Sequence, residues 1–452
     1  MIDFSQIDKF SWIYYFYEIY LKFNHNKVYY KEYKIINKEN IPPKGVPTFV
    51  IANHQNGLSD ALVLLFMWND CRQPVFIARG DIFKKEWVAK LLRFLKILPT
   101  FRDRDGNRSD IRSNSNTFSI ASNVLKKGKT VIMFPEAAHQ DGNYMGSFKK
   151  GFPRIVFQAE EQANFELGLQ ILPVNIYYDN YYSFRSRVLL TVGEPFQAND
   201  FFEQYKKEHN QAYLDFNEFA RKKLKMMTID EGDKFYHEYD LIRTMLRKER
   251  LIQKGKNPDN LIFRKEEDFE IVKELDGLKE ETPACFDKLM ENTKEYMEGL
   301  QQLKLRDWLI GKNVTLCSLF MKSLLLFLTF PFFLFGWINN ILPFSLPAFL
   351  KKKIKDRQLH SSMNFAPSAV ITFPLMYIIA GVLAWIISGN FWVAIVYILA
   401  AYISLIPFYA YKKCFIKLMA SCRYRKLLKR KDAVLQRLIL LKENIIASFY
   451  QD

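Results

Sequence analysis

An α/β domain with a mixed, largely parallel sheet flanked by helices is predicted for residues 45–200, followed by a helical extension and C-terminal transmembrane helices. Three observations carry this. Short β-rich runs alternate with helix-length segments between 47 and 195; charge becomes dense and strands vanish from 201 to 312; and the 44 residues from Ser368 to Tyr411 contain no charged side chain. Alternating strands and helices mark a sheet covered on both faces. The uncharged tract, at 1.5 Å per helical residue, is long enough to cross a hydrocarbon core of about 30 Å twice.

The elements follow in order. Residues 1–44 are an N-terminal lead-in. Within it, 9–23 (KFSWIYYFYEIYLKF) is aromatic-rich and too polar to span, and two readings stand: a helix lying in the membrane interface, or one packed on its own domain. A secretory leader is not expected, because Asp3 and Asp8 occupy the place of a basic n-region. Strands are expected at 47–52, 74–79, 130–135, 171–178 and 186–193, with helices near 59–68, 83–95, 116–127 and 150–162. Residues 201–312 read as a charged helical extension punctuated by Pro258 and Pro283. The membrane region runs over 313–415. In it, 368–388 and 391–411 are spans joined at Ser388-Gly389-Asn390, and 323–350 is a span or a re-entrant hairpin turning at Asn339-Asn340 or its prolines. A basic helix, 416–452, closes the chain.

The hairpin has a charge argument behind it. With a single crossing in 323–350, the loop at Lys351–Lys355 and the basic tail from Lys412 fall on the side opposite the α/β domain, against the positive-inside tendency. A shallow hairpin returns both to that side. The α/β domain, the 351–357 loop and the C-terminus are therefore all expected on the cytoplasmic face of an integral membrane protein.

Composition narrows the function. Lys and Arg number 65 against 48 Asp and Glu, for a formal net charge of +17. A basic balance suits nucleic acid, an anionic membrane or anionic small substrates. Beside long apolar runs it is juxtamembrane charge, so no nucleic-acid partner is expected. The five cysteines form no CxxC pair and no Cys/His cluster, so neither a zinc site nor a disulfide framework is indicated. A transporter is disfavoured because 368–411 holds no ionisable group.

The chemistry-bearing stretch is Asn53-His54-Gln55-Asn56-Gly57-Leu58-Ser59-Asp60, between an expected strand and an apolar helix. A His at a strand end can serve as a base facing a cleft, and an Asp at the start of the next helix can hold its second ring nitrogen. In isolation the same residues read equally as a turn with Asp60 as helix cap. They are not isolated: Leu98-Pro99-Thr100-Phe101-Arg102-Asp103-Arg104, Phe134-Pro135-Glu136, Lys149-Lys150-Gly151 and Ile171-Leu172-Pro173-Val174 follow in order.

This ordered set resembles the four motifs of the PlsC-like glycerolipid acyltransferases, which include glycerol-phosphate and lysophosphatidate acyltransferases. The resemblance covers about 45–200. It implies transfer of a fatty acyl chain from acyl-CoA or acyl carrier protein to glycerol 3-phosphate, with a lysophosphatidate or other lysolipid acceptor as the alternative. It implies His54 as general base and Asp60 as its orienting partner. Arg102, Arg104 and Glu136 would line the acceptor site, with Lys149 and Lys150 near phosphate; the chemistry needs no metal or bound cofactor. Two departures stand out. Five residues separate His54 from Asp60 where four are usual, a variant found in some members, and Gly57 is placed to absorb the extra one. The usual Gly after Phe-Pro-Glu is Ala137, followed by Ala138 and His139. A catalytically silent lipid-binding membrane scaffold is the reading of another class.

Overall fold

The computed structural model describes residues 3–101, 108–136, 142–181, 183–232, 234–352, 354, 365 and 373–450. The chain divides between Asp230 and Glu231 into two compact units.

The first unit is built on seven strands: β1 (Glu32–Ile36), β2 (Thr48–Ala52), β3 (Val75–Arg79), β4 (Ile97–Thr100), β5 (Thr130–Met133), β6 (Gln170–Tyr178) and β7 (Arg187–Val192). Their order in the sheet is β1-β7-β6-β2-β5-β3-β4. Only β6 and β7 pair antiparallel; every other pairing is parallel. All five residues of β2 are buried, as a central strand covered on both faces requires. The five expected strands are present. The two additional ones, β1 and β4, are the edges of the sheet.

Helices α1 (Trp12–Phe23), α2 (Leu58–Leu65), α3 (Glu86–Phe94), α4 (Arg108–Lys126), α5 (Gly151–Glu161), α6 (Phe202–Lys207) and α7 (His209–Lys225) complete this unit. The core joins Phe49 and Ile51 of β2 to Phe152 and Phe157 of α5 and to Phe216 and Ala220 of α7. The α/β unit therefore extends beyond 45–200 in both directions, to β1 before it and α7 after it. Helix α1 packs on its own domain by one side and leaves the other exposed. Tyr14 and Leu21 are buried against the domain, while Trp12, Ile13, Phe16 and Phe23 remain exposed.

The second unit begins with α8 (Tyr236–Gln253), α9 (Leu261–Glu281) and α10 (Pro283–Gln302). The dense charge of this extension is partly internal. Arg243 reaches Glu231 at 2.8 Å and Asp268 at 2.6 Å, and Arg247 shares Asp268 at 2.8 Å. The carboxylates are buried and each is matched, as burial of charge demands.

Next come α11 (Leu316–Lys351), α12 (Phe373–Ser388), α13 (Phe391–Ile403), α14 (Leu405–Lys429) and α15 (Ala433–Ala447). Among the described residues, Leu316–Lys351 and the run Phe391–Lys429 are long and apolar enough to cross a membrane; Phe373–Ser388 is apolar but shorter. Gly389, at φ +66°, makes the turn between α12 and α13, and the Asn390 side chain caps α13 through Trp392 N at 2.9 Å. The start of the expected span at 368–372 and most of the 351–357 loop lie outside the described residues.

The expected turn at Asn339-Asn340 is not formed. Helix α11 runs through both residues, which are buried among its neighbours. Helical geometry spares the backbone polar groups that an open hairpin would expose to lipid. Yet α11 is not straight. Phe333 and Phe344 both pack on Phe408, with centroids 5.6 and 5.3 Å away, although eleven residues of straight helix span about 16 Å. The helix bends between them, where Pro343 removes a backbone donor.

Candidate active site

Strand β2 delivers His54 to the end of the sheet, and two residues lock its exit. The Asn53 amide donates to Ile176 O at 3.0 Å and accepts from Ile176 N at 2.7 Å, tying the end of β2 to β6. The chain then reverses through Gly57, whose φ of +51° and ψ of −129° suit a residue without Cβ. Gly57 is the cap of α2, so Asp60 falls at the third helical position and not at the cap.

From there the Asp60 carboxylate reaches back. One oxygen accepts from Gln55 N at 2.8 Å, from Asn56 N at 2.7 Å, and pairs with His54 Nδ1 at 2.8 Å. The other accepts the Tyr178 hydroxyl at 2.7 Å, from the last residue of β6. Asp60 has 0% exposure, and these donors, with the positive end of α2, replace the water it has lost. The Asp60 charge in turn helps hold the Tyr178 hydroxyl protonated, alongside its burial.

His54 itself keeps 16% side-chain exposure. Phe134, just after β5, lies flat against the imidazole at a centroid distance of 4.0 Å and 13°. With Nδ1 turned to Asp60, Nε2 is the nitrogen left for a proton.

Glu136 is 3% exposed, and its two oxygens accept from His54 N at 3.1 Å and Gly146 N at 2.8 Å. It ties the segment after β5 to the backbone of His54. Burial raises its pKa to about 7 against the downward pull of those two N–H groups. Lys149 and Lys150 are exposed at the start of α5, and Lys149 Nζ donates to Ser147 Oγ at 3.0 Å. Arg102, Arg104 and the Ala137–His139 segment lie outside the described residues. No cluster of metal-ligating side chains occurs among the described residues.

The structure thus joins His54, Asp60 and Glu136 in one connected arrangement. It adds three residues that the sequence pattern left without a role: Asn53, Phe134 and Tyr178. Phe134 stands inside the Phe-Pro-Glu block, which was the available signal. Tyr178 lies 118 positions from Asp60 with no local pattern to link them.

The same part of the chain is similar to known proteins. Residues 32–177 match the acyltransferase family model. Over 113 residues the chain is 31% identical to a chloroplastic 1-acyl-sn-glycerol-3-phosphate acyltransferase of Arabidopsis thaliana, covering 25% of this chain and 29% of that one. Over 128 residues it is 27% identical to a probable 1-acyl-sn-glycerol-3-phosphate acyltransferase of Mycoplasma pneumoniae, covering 28% and 44% respectively. The chain thus spans less than half the length of either relative. The crystal structure of a 1-acyl-sn-glycerophosphate acyltransferase, PlsC, from Thermotoga maritima aligns with a TM-score of 0.33 at 22% identity, over 46% of this chain and 75% of that one. Residues 32–177 are thus an acyltransferase domain similar to those of the PlsC-like glycerolipid acyltransferases.

Proposed function

We propose that the protein transfers a fatty acyl chain from a thioester donor, acyl-CoA or acyl carrier protein, to the hydroxyl of 1-acylglycerol 3-phosphate. The observation that carries this is the His54–Asp60 pair, in which Asp60 holds Nδ1 at 2.8 Å on a side chain that keeps 16% exposure. Nε2 takes the proton of the acceptor hydroxyl as its oxygen attacks the thioester carbonyl carbon. Asp60 stabilises the imidazolium that forms. As the tetrahedral intermediate collapses, the carbon–sulfur bond breaks and the imidazolium returns the proton to the departing sulfur. The products are an ester and a free thiol.

Arg102 and Arg104 bind the acceptor phosphate in this reading, a guanidinium being suited to bidentate pairing with phosphate, and Lys149 and Lys150 add positive charge nearby. Glu136 acts by fixing the His54 backbone, since both its oxygens are already engaged. The acceptor differs from the sequence expectation, which put glycerol 3-phosphate first; the similarity to 1-acyl-sn-glycerol-3-phosphate acyltransferases favours the acylated form. Glycerol 3-phosphate remains the second reading, supported by the five-residue spacing between His54 and Asp60. The protein is integral to the membrane through its apolar helices, with the catalytic domain facing the cytoplasm; the continuous α11 removes the hairpin that placed the 351–357 loop on that side. The exposed apolar side of α1 rests in the interface.

The test is acyl transfer by the purified full chain with glycerol 3-phosphate, dihydroxyacetone phosphate and 1-acylglycerol 3-phosphate in parallel. The highest kcat/KM is expected for the last. Transfer to none of them, by folded protein with either donor, sinks the reading and leaves the silent scaffold. Within the active case, Arg102→Ala raises the acceptor KM far more than the donor KM.

A further inference from the structure

The apolar helices carry a second anion site that the proposed chemistry does not use. A cavity of about 400 Å³ opens between the start of α11 and the C-terminal part of α14. Leu316, Leu319 and Cys422 form its less polar wall, and Arg425, Lys426, Lys429 and Arg430 surround the rest.

Four cations around one cavity repel each other unless something neutralises them. No ion pair joins them to a carboxylate among the described residues. The nearby pairs are made by Arg437 with Glu295 and Lys442 with Asp307 instead. Arg425 is fixed in place by a hydrogen bond from its Nη1 to Val314 O, just ahead of α11. Its Nε is buried and has no hydrogen-bond partner among the described residues. A buried guanidinium N–H without an acceptor is costly, so the Arg425 side chain is held here under-satisfied. The N-terminus of α11 adds its own partial positive charge to the same wall.

The apolar side of the cavity continues out of it. Leu316, Phe320, Leu324 and Phe327 follow at helical spacing along α11, and all are exposed. An anion with no tail has no use for such a strip.

We propose that this cavity binds an anionic glycerophospholipid, its phosphate among Arg425, Lys426, Lys429 and Arg430 and its acyl chains along the exposed strip of α11. Basic pockets at the membrane boundary are suited to such headgroups. The inference rests on the membrane reading of these helices and is independent of the acyl-transfer reading.

The experiment is native mass spectrometry of the full chain in neutral detergent, titrated with dioctanoyl phosphatidylglycerol, dioctanoyl phosphatidylcholine and inorganic phosphate. The two lipids share their tails and differ in net charge. Phosphatidylglycerol is expected to bind about tenfold or more tightly than phosphatidylcholine, and millimolar phosphate not to displace it. Combined Arg425→Ala and Lys429→Ala substitution is expected to abolish that preference. Should that variant fail to fold, Lys426→Gln with Lys429→Gln, both at exposed positions, is expected to weaken phosphatidylglycerol binding several-fold. Equal affinity for the two lipids, displacement by phosphate, or an unchanged preference in a folded variant overturns the proposal. Acyl transfer measured on the same variants is expected to persist, so a failure here is separate from a failure of the proposed reaction.

Discussion

Two buried polar clusters, one in each unit, solve the same problem with different materials. Around Asp60 the centre is a carboxylate, held by two backbone N–H groups, a histidine and a tyrosine. Around Asn339 and Asn340 the members are neutral. Asn340 accepts from Tyr377 at 2.6 Å and donates to Gly336 O at 2.8 Å and Ser404 Oγ at 3.0 Å; Asn339 accepts from Tyr397 at 3.0 Å. A carboxylate needs several donors at once, and a chain reversal such as Gln55-Asn56-Gly57, like the first turn of a helix, leaves consecutive backbone N–H groups unclaimed. A helix interior has none to offer, because each is committed four residues back. Inside apolar helices, polar glue must therefore be amide and hydroxyl, bridging one helix to another. The first cluster holds a charge where chemistry needs it, and the second holds helices together.

The sharpest way to break the first cluster is at its catalytic member. His54→Ala is expected to lower turnover by roughly 10²–10⁴-fold, the usual worth of a general base, with thermal unfolding little changed. Near-normal turnover of the purified variant removes the assignment. Tyr178→Phe tests the electrostatic half of the comparison. It leaves one oxygen of a buried carboxylate short of a donor, and is expected to cost about 1.5–3 kcal/mol of stability by denaturant unfolding of the detergent-purified chain.

The corresponding change in the second cluster should cost less. Asn340→Leu removes the bonds to Tyr377 and Ser404, and helix-bridging bonds of this kind contribute about 0.6–1.7 kcal/mol in membranes. A loss as large as that of Tyr178→Phe erases the distinction between the clusters.

A different kind of effect is a pH slope. Glu136 titrates near 4.5 when exposed and near 7 in the folded chain. Between those values the folded state holds the proton more tightly than the unfolded state. The contribution of Glu136 to stability is therefore complete below about pH 4.5 and is lost as pH rises to about 7. Glu136→Gln is expected to flatten that part of the stability–pH curve, and an unchanged slope assigns it to other groups.

How much of this was legible follows from where each signal lives. Central strands such as β2 and β6 declare themselves as mostly apolar runs, buried almost throughout. The two unexpected strands are both sheet edges. Glu32–Ile36 mixes charged with apolar residues and is nowhere fully buried; Ile97–Thr100 is only four residues long and merges with the helical segment before it. At the site, His54 and Asp60 were legible because six positions and one glycine hold the whole relation. Tyr178 was not, because it arrives from another strand. Asn339-Asn340 misled for a physical reason. In water the pair favours a turn, but between apolar helices the same side chains find better partners across the bundle than in their own backbone.

The hold of Asp60 on Nδ1 has a kinetic consequence. In the proposed reaction Nε2 takes the proton of the incoming hydroxyl and hands it to the outgoing sulfur. Because that hydroxyl attacks the thioester directly, with no acylated side chain in between, hydroxyl and thioester are bound together before either bond changes. Initial rates should accordingly give intersecting double-reciprocal lines, the mark of a ternary complex, and not the parallel lines of an acylated enzyme waiting for its acceptor.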